Sequence, residues 1–319
     1  MRRSKFSATY WNEKFAMKLA RRVFVSMPAD QWLTPDQNDL KWGIVDEIEA
    51  LGFRAEIFFD PRGKRGLAAA EAWSAAKVDW VARRCAGVAI IGMPRWVFPT
   101  PEGGLHLPTE FNHYEGAIAY TLRLPMLVLV QENVLRRVVF DDSYKGYVAV
   151  FPSNAKRSWL KTRKFRVPFG FWRNQLFERR DVFLGYCSTS ASTAKQLKQF
   201  LKKDLGVTVL DWMTNFNPGR TILSQIEEAA NRCSAGIFLF TGDDKLTNGA
   251  RSEKAVPRDN VVFEAGYFIN AKGKDHVLIV REANAKMPAD LGGDIYASLK
   301  TKTSIHPIKV AVRNFCKSL

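Results

Sequence analysis

The sequence predicts an α/β protein made of two tandem units, each a parallel sheet with helices on both faces. Two observations carry that prediction. Apolar runs of strand length alternate with longer stretches of helical periodicity along the chain, the pattern of parallel strands joined by crossover helices. Landmarks also recur in the same order. Pro108 lies seven residues before Glu115, as Pro257 lies seven before Glu264. Cys85 and Cys233 precede those prolines by 23 and 24 residues, and the next strand ends 15 and 16 residues after the two acids. Such agreement reads as an internal duplication, and a length of 319 residues suits two domains.

Taken in order, residues 1–20 place Tyr10, Trp11, Phe15 and Leu19 at near-helical spacing, an amphipathic arm docked on the body. The first unit, 21–150, opens with a buried strand at Arg22–Ser26. Thr34, Pro35 and Gln37 supply an N-cap, a first-turn proline and a capping-box glutamine. Leu40, Ile44, Ile48 and Leu51 then mark one helical face, which Gly52 ends. A strand at Phe53–Phe59, a helix from Leu67 to Arg84 and a strand at Gly87–Ile91 follow. An irregular loop from Met93 to Leu107, a helix led by Pro108–Glu115 and a strand at Met126–Val130 complete the unit.

Residues 151–180 carry much of the basic excess of a chain with formal net charge +16. Nine basic residues between Lys156 and Arg180 face one acid, Glu178, and Trp159, Phe165, Phe169, Phe171 and Trp172 are interleaved with them. A linker whose rings pack between the units while its charges stay wet is the favoured reading. A stacking-plus-charge surface for a nucleotide or a nucleic acid strand is the alternative.

The second unit, 181–319, repeats the scheme. A strand at Val182–Tyr186 leads into the polar run Cys187–Thr193, whose Ser188 and Ser190 offer hydroxyls at a helix N-terminus where a phosphate can bind. Ala194, Leu197, Leu201 and Leu205 form the helix face. A strand at Val207–Trp212, a turn at Asn217–Gly219 and a helix at Thr221–Arg232 come next. Strands at Gly236–Gly242 and His276–Val280 flank the stretch Pro257–Ile269. Asp243 and Asp244 end a strand, where capping is favoured over metal binding because no third ligand has suitable spacing.

Composition narrows the function classes. With 46% hydrophobic and 12% aromatic residues the chain can bury substantial cores. Its apolar runs, such as Leu124–Val130, are too short to cross a bilayer. Cys85, Cys187, Cys233 and Cys316 lack the paired spacings of a zinc site or disulfide framework, and no apolar signal segment opens the chain, so a reducing, cytoplasmic setting without membrane or metal is expected.

The chemistry concentrates at Glu264. Val261, Glu264 and Phe268 share a helical stripe, so the carboxylate borders a buried face, where an unpaired charge is costly. It is either satisfied by a neighbour such as Arg258 or kept for a task. In a strand, loop, helix, strand unit, ligands bind at the carboxyl ends of the strands, and Glu264 follows such a loop. Trp212 is a candidate to stack on a ligand ring or to serve as core.

The segments Phe183-Leu-Gly-Tyr-Cys-Ser-Thr-Ser, Phe240-Thr-Gly-Asp-Asp, Val256-Pro-Arg-Asp-Asn-Val-Val-Phe-Glu-Ala-Gly and Met287-Pro-Ala-Asp-Leu291 resemble the bacterial TIR domain of TIR-STING and Pycsar antiphage effectors. The resemblance covers about 181–300. It implies a flavodoxin-like fold and hydrolysis of NAD as substrate, with no cofactor and with Glu264 as the catalytic acid. It also implies ligand contacts from Ser188, Ser190, Trp212, Asp243, Arg258, Asp259 and Asn260. Partners implied are NAD, a cyclic nucleotide or other nucleotide activator, and further copies of the chain in a homo-oligomer. Residues 21–150 look like a divergent TIR-like or nucleoside deoxyribosyltransferase-like copy, in which Glu115 matches by position. A non-catalytic scaffold or nucleotide sensor, and an N-glycosidase or deoxyribosyltransferase using both acids, are the alternatives.

Overall fold

The computed structural model describes residues 21–60, 73–101, 103–143, 147–216, 219–247, 253–287 and 296–319. The expected N-terminal arm, the first third of the Leu67–Arg84 helix, most of the Asn217–Gly219 turn and most of the Met287–Leu291 segment lie outside them.

In the first unit β1 (Arg22–Ser26) is followed by α1 (Pro35–Ala50), β2 (Arg54–Glu56), α2 (Ala75–Arg83) and β3 (Cys85–Gly92). Next come β4 (Trp96–Thr100), β5 (Gly103–Leu107), α3 (Glu110–Thr121), β6 (Met126–Gln131), β7 (Tyr147–Phe151) and α4 (Arg163–Glu178). β1, β2, β3, β6 and β7 pair in parallel in the order β2-β1-β3-β6-β7. The second unit runs β8 (Arg180–Gly185), α5 (Ala191–Asp204), β9 (Val209–Asp211), α6 (Trp212–Asn215), α7 (Ile222–Arg232) and β10 (Cys233–Phe240). It continues with β11 (Asp244–Thr247), β12 (Glu253–Val256), α8 (Asp259–Lys272), β13 (Val277–Glu282), β14 (Tyr296–Leu299) and α9 (Lys309–Ser318). Its parallel sheet has the order β14-β13-β10-β8-β9. Numbered within its own unit, each sheet is 2-1-3-4-5, the doubly wound flavodoxin-like order.

From Val23 and Val182 onward the registers coincide. Ser26 pairs with Ile90 as Gly185 pairs with Phe238, and Val23 with Gly87 as Val182 with Ala235. The central strands β3 and β6 are buried along their whole length, as the near-continuous apolar runs predict. The capping box of α1 forms as read: Thr34 Oγ1 accepts from the Gln37 amide at 3.3 Å and the Gln37 side chain accepts from the Thr34 amide at 2.9 Å. Gly52, at φ 87°, ends that helix in a conformation most side chains avoid.

Three segments differ from the expectation. α2 begins only at Ala75, capped by Ser74, whose hydroxyl accepts from the Lys77 amide at 3.2 Å. The stretch expected as an irregular loop contains the antiparallel ribbon β4–β5, which tolerates Pro99 because it belongs to neither main sheet. The basic aromatic segment 151–180 is mostly α4 and the turn before it, and it closes the first core. Phe165, Phe169, Trp172 and Leu176, spaced four, three and four apart, are buried with Phe151 and Trp159. Trp172 Nε1 donates to the Pro125 carbonyl at 3.1 Å. Its cations meet acids of α1: Arg157 pairs with Asp39 and Asp46, Arg166 with Glu47 and Lys156 with Asp36. That pairing withdraws charge from the surface that a nucleic acid strand would need.

Helix α4 runs directly into β8, and the two units touch through arginines. Arg21 pairs with Asp181 at 3.1 Å, and Arg123 pairs with Glu227 at 2.6 Å. Arg83 donates to the Ala271 carbonyl at 3.0 Å. No helix among the described residues is long and apolar enough to cross a membrane.

Candidate functional site

At the carboxyl edge of the second sheet, where strand order reverses between β8 and β10, α8 delivers Glu264. Val261, Ala265 and Phe268 bury the inward face of the helix, and Glu264 lies on that face with 7% of its surface exposed. Its Oε2 is buried and among the described residues has no hydrogen-bond partner. Burial alone pushes this carboxyl up to about 8. Arg258, the neighbour that stood to neutralise it, caps α8 and pairs with Asp244 at 2.9 Å. The acid is therefore left unsatisfied at the wall of a cleft of about 460 Å³.

Gly185, the last residue of β8, makes this possible. A Cβ there would stand 2.8 Å from Glu264 Oε2 and 2.4 Å from the Phe238 ring. The strand ends on a glycine because both the acid and the ring occupy the space a side chain would fill.

The opposite wall is held by a polar chain. Trp212 Nε1 donates to the Tyr186 carbonyl at 2.9 Å, and the two rings lie 5.8 Å apart. Tyr186 Oη donates to Asp211 Oδ1 at 2.9 Å, while Lys198 Nζ donates to Asp211 Oδ2 at 2.6 Å. Burial, then the Asp211 bond, pushes the Tyr186 phenol up, so it stays a donor. Asp211 also accepts from the Met213 amide at 3.1 Å, starting α6. Trp212 is half-buried: it packs against both hydrophobic clusters of the unit and also lines the cleft.

Of the candidate residues, Glu264, Ser188, Trp212, Arg258 and Asn260 come together around this cleft. Ser190 and Asp243 do not line it. Ser190 is fully buried, with its hydroxyl against Thr241 Oγ1 at 2.6 Å and Asp243 at 3.4 Å. Asp243 accepts from Thr189, from Thr241 at 2.7 Å and from Lys302 Nζ at 2.9 Å. This knot fastens the serine loop to the end of β10. Asp259 is exposed in the first turn of α8, where a negative charge favours the helix, and does not line the cleft. Gly185, Tyr186, Asp211 and Lys198 escaped the sequence reading. A glycine closing a buried strand directly before a polar loop was the one available signal.

The first unit holds the counterpart. Glu115 on α3 is 5% exposed and is pushed by burial up to about 7. Trp73 Nε1 donates to Glu115 Oε1 at 3.0 Å, and the Ser26 hydroxyl also bonds to the carboxyl. Asn112 Nδ2 donates to Ser26 Oγ at 2.7 Å. The adjoining cavity is smaller, about 180 Å³.

Comparison with known proteins places the resemblance on the second unit. Residues 181–301 match the family model described as the CAP12/Pycsar effector protein, TIR domain. The chain is 30% identical over 139 residues to CD-NTase-associated protein 12 of Lachnospiraceae bacterium, covering 43% of each. It is 30% identical over 118 residues to Pycsar effector protein BcPycTIR of Burkholderia cepacia, covering 36% of this chain and 39% of that one. It is 26% identical over 185 residues to Pycsar effector protein PaPycTIR of Pseudomonas aeruginosa, covering 56% and 58%. The matched region thus spans between about two fifths and three fifths of these relatives' length. With its 2-1-3-4-5 sheet, the second unit is similar to the TIR domain of CAP12 and Pycsar effectors.

Proposed function

We propose that the second unit hydrolyses NAD at the nicotinamide–ribose bond, with Glu264 as the catalytic carboxylate, and that the chain is an antiphage defence effector of the cytoplasm. The observation that carries this reading is the unpartnered Glu264 Oε2 at the cleft, a costly arrangement that a purely structural acid avoids. Breaking the N-glycosidic bond returns its electron pair to the pyridinium nitrogen, giving neutral nicotinamide and leaving positive charge on the ribose. Water then adds at the anomeric carbon and releases a proton. A carboxylate beside the ribose stabilises that charge and orients the ribose hydroxyls. The cationic ring of the substrate itself favours the ionised form of Glu264, drawing its pKa down from about 8 on binding.

The remaining groups fit supporting tasks. Trp212, held by Tyr186 and Asp211, offers a fixed ring face. Ser188 and Asn260 offer polar contacts, and Arg258 a cation for phosphate, at the mouth of the same cleft. The names of the relatives support activation by a nucleotide signal, and assembly of several copies is the second route to a complete site. The alternative in which both carboxylates transfer glycosyl groups is disfavoured, because Glu115 is engaged by Trp73 and Ser26.

The test is incubation of the purified chain with NAD over a range of protein concentrations, with and without cyclic nucleotides. Release of nicotinamide that disappears in Glu264→Gln is the expected result. Binding of NAD without turnover under every condition would overturn it in favour of a nucleotide-sensing scaffold.

A further inference from the structure

We propose that the pocket at the carboxyl edge of the first sheet is a second ligand site, built for a small aromatic carboxylate of one ring and independent of the reaction assigned to the second unit. The pocket lies at the end of β1 and β2 and holds about 180 Å³, enough for one six-membered ring with a small substituent, since a cavity of about 150 Å³ accommodates benzene. Its walls are the half-buried rings of Phe58, Trp73 and Phe111, the last two with centroids 4.5 Å apart. Flat aromatic walls around one ring's worth of space select a planar guest.

The charge is supplied by Arg95. Among the described residues no carboxylate pairs with it, and its Nε is buried without an acceptor. Among the described residues its side-chain hydrogen bond is a long one, 3.4 Å to Thr109 Oγ1. The guanidinium is held in place by rings, its carbon lying 4.9 Å from the Trp96 centroid, 5.5 Å from Trp32 and 6.0 Å from Phe111. The backbone is fixed as well, since the Arg95 amide donates to the Leu107 carbonyl at 2.8 Å at the base of the β4–β5 ribbon. A rigid fork of donors with no anion to serve, lining an aromatic pocket, is complementary to a carboxylate on the rim side of a ring. At the far side Glu115 and Ser26 form a polar floor that can meet a ring hydroxyl or N–H.

The experiment is titration calorimetry of the full chain with benzoate and with benzamide, which share a shape and differ in charge. Benzoate is expected to bind one saturable site, with benzamide weaker by roughly tenfold or more, the usual worth of a charge-assisted contact. Arg95→Gln is expected to remove that preference, Arg95→Lys to keep part of it, and Arg258→Gln, in the other cleft, to leave it intact. The proposal is overturned if benzoate gives no saturable heat, if benzamide binds equally well, or if the preference is lost in Arg258→Gln and kept in Arg95→Gln. The benzoate and benzamide comparison needs no variant, so a folding defect in either substitution cannot hide the answer.

Discussion

Glu264 and Glu115 stand on corresponding helices at the same edge of two sheets with one strand order, and both are almost fully buried. Their surroundings divide them. Glu115 receives the Trp73 indole and the Ser26 hydroxyl, and both bonds favour its charged form. Glu264 receives no bond from the described residues, and its carboxyl is pushed higher, to about 8 against about 7. The register assigns much of the difference to a single position, because Ser26 and Gly185 occupy the same place on the first strand of each sheet. A hydroxyl there ties the acid down, whereas a glycine leaves it unpartnered. The two units share the position of the carboxylate and differ in what holds it.

The largest expected effect separates the acids by activity. Glu264→Gln should lower NAD hydrolysis on the order of 10³-fold, the scale of losing a group that stabilises transition-state charge. Glu115→Gln should leave the rate unchanged. Equal losses in the two variants, measured as nicotinamide release, would put both acids in one reaction and dissolve the contrast.

The second effect is on stability. In the folded chain Glu264 keeps its proton up to about pH 8, whereas an unfolded glutamate ionises near 4.5. The penalty is therefore absent below about pH 4.5, grows as pH rises through that window and is complete above pH 8. At about 1.4 kcal/mol per unit its full size is on the order of 5 kcal/mol. Glu264→Gln should then be more stable than the parent above pH 8 and equal to it near pH 4.5 in urea unfolding. Glu115→Gln should gain less, because the Glu115 carboxyl is raised only to about 7 and Trp73 and Ser26 favour its charged form. A variant that inactivates and stabilises at once is the signature of an acid retained for a task.

The contrast also locates what the sequence could reveal. The recurrence of Pro and Glu at equal spacing was enough to find both acids, because spacing along a helix is local information. Alternation of apolar runs was enough for the sheets. Helix α4 was legible in principle, since Phe165, Phe169, Trp172 and Leu176 keep helical spacing. The density of basic residues around them obscured it, because their partners Asp39, Asp46 and Glu47 lie over a hundred residues away in the chain. At Ser190 and Asp243 the sequence is ambiguous, because an N-terminal serine loop looks the same whether its hydroxyls face a phosphate or a buried aspartate. The pairing of Ser26 with Gly185 needed the strand register, which no single segment contains.

A smaller effect follows at Gly185. Gly185→Ala sets a methyl against Phe238 and Glu264 Oε2 at distances no side chain tolerates. The ring and the acid must shift, costing about 1–3 kcal/mol of stability, as overpacking of a core does. Catalysis should fall with it, since Glu264 would leave its position by the cleft. Retained activity and stability would mean that the strand end relaxes freely and that the glycine is not what leaves room for the acid.

The smallest effect is the reciprocal change, Ser26→Gly, which imposes the second unit's solution on the first. It removes the hydroxyl that bonds Glu115 and accepts from Asn112, and its cost should be about 1–2 kcal/mol from the lost bonds and the added backbone freedom. Trp73 keeps its own bond, so Glu115 stays oriented while one contact that favours its charged form is gone. The Glu115 pKa should move up from about 7 toward the value of Glu264. Because the folded pKa rises while the unfolded one does not, the fall of stability with pH must continue to a higher pH than in the parent. Unfolding midpoints between pH 6 and 9 read that extension directly. An unchanged profile would mean that Ser26 contributes nothing to holding the charge, leaving Trp73 alone to distinguish a tethered acid from an unpartnered one.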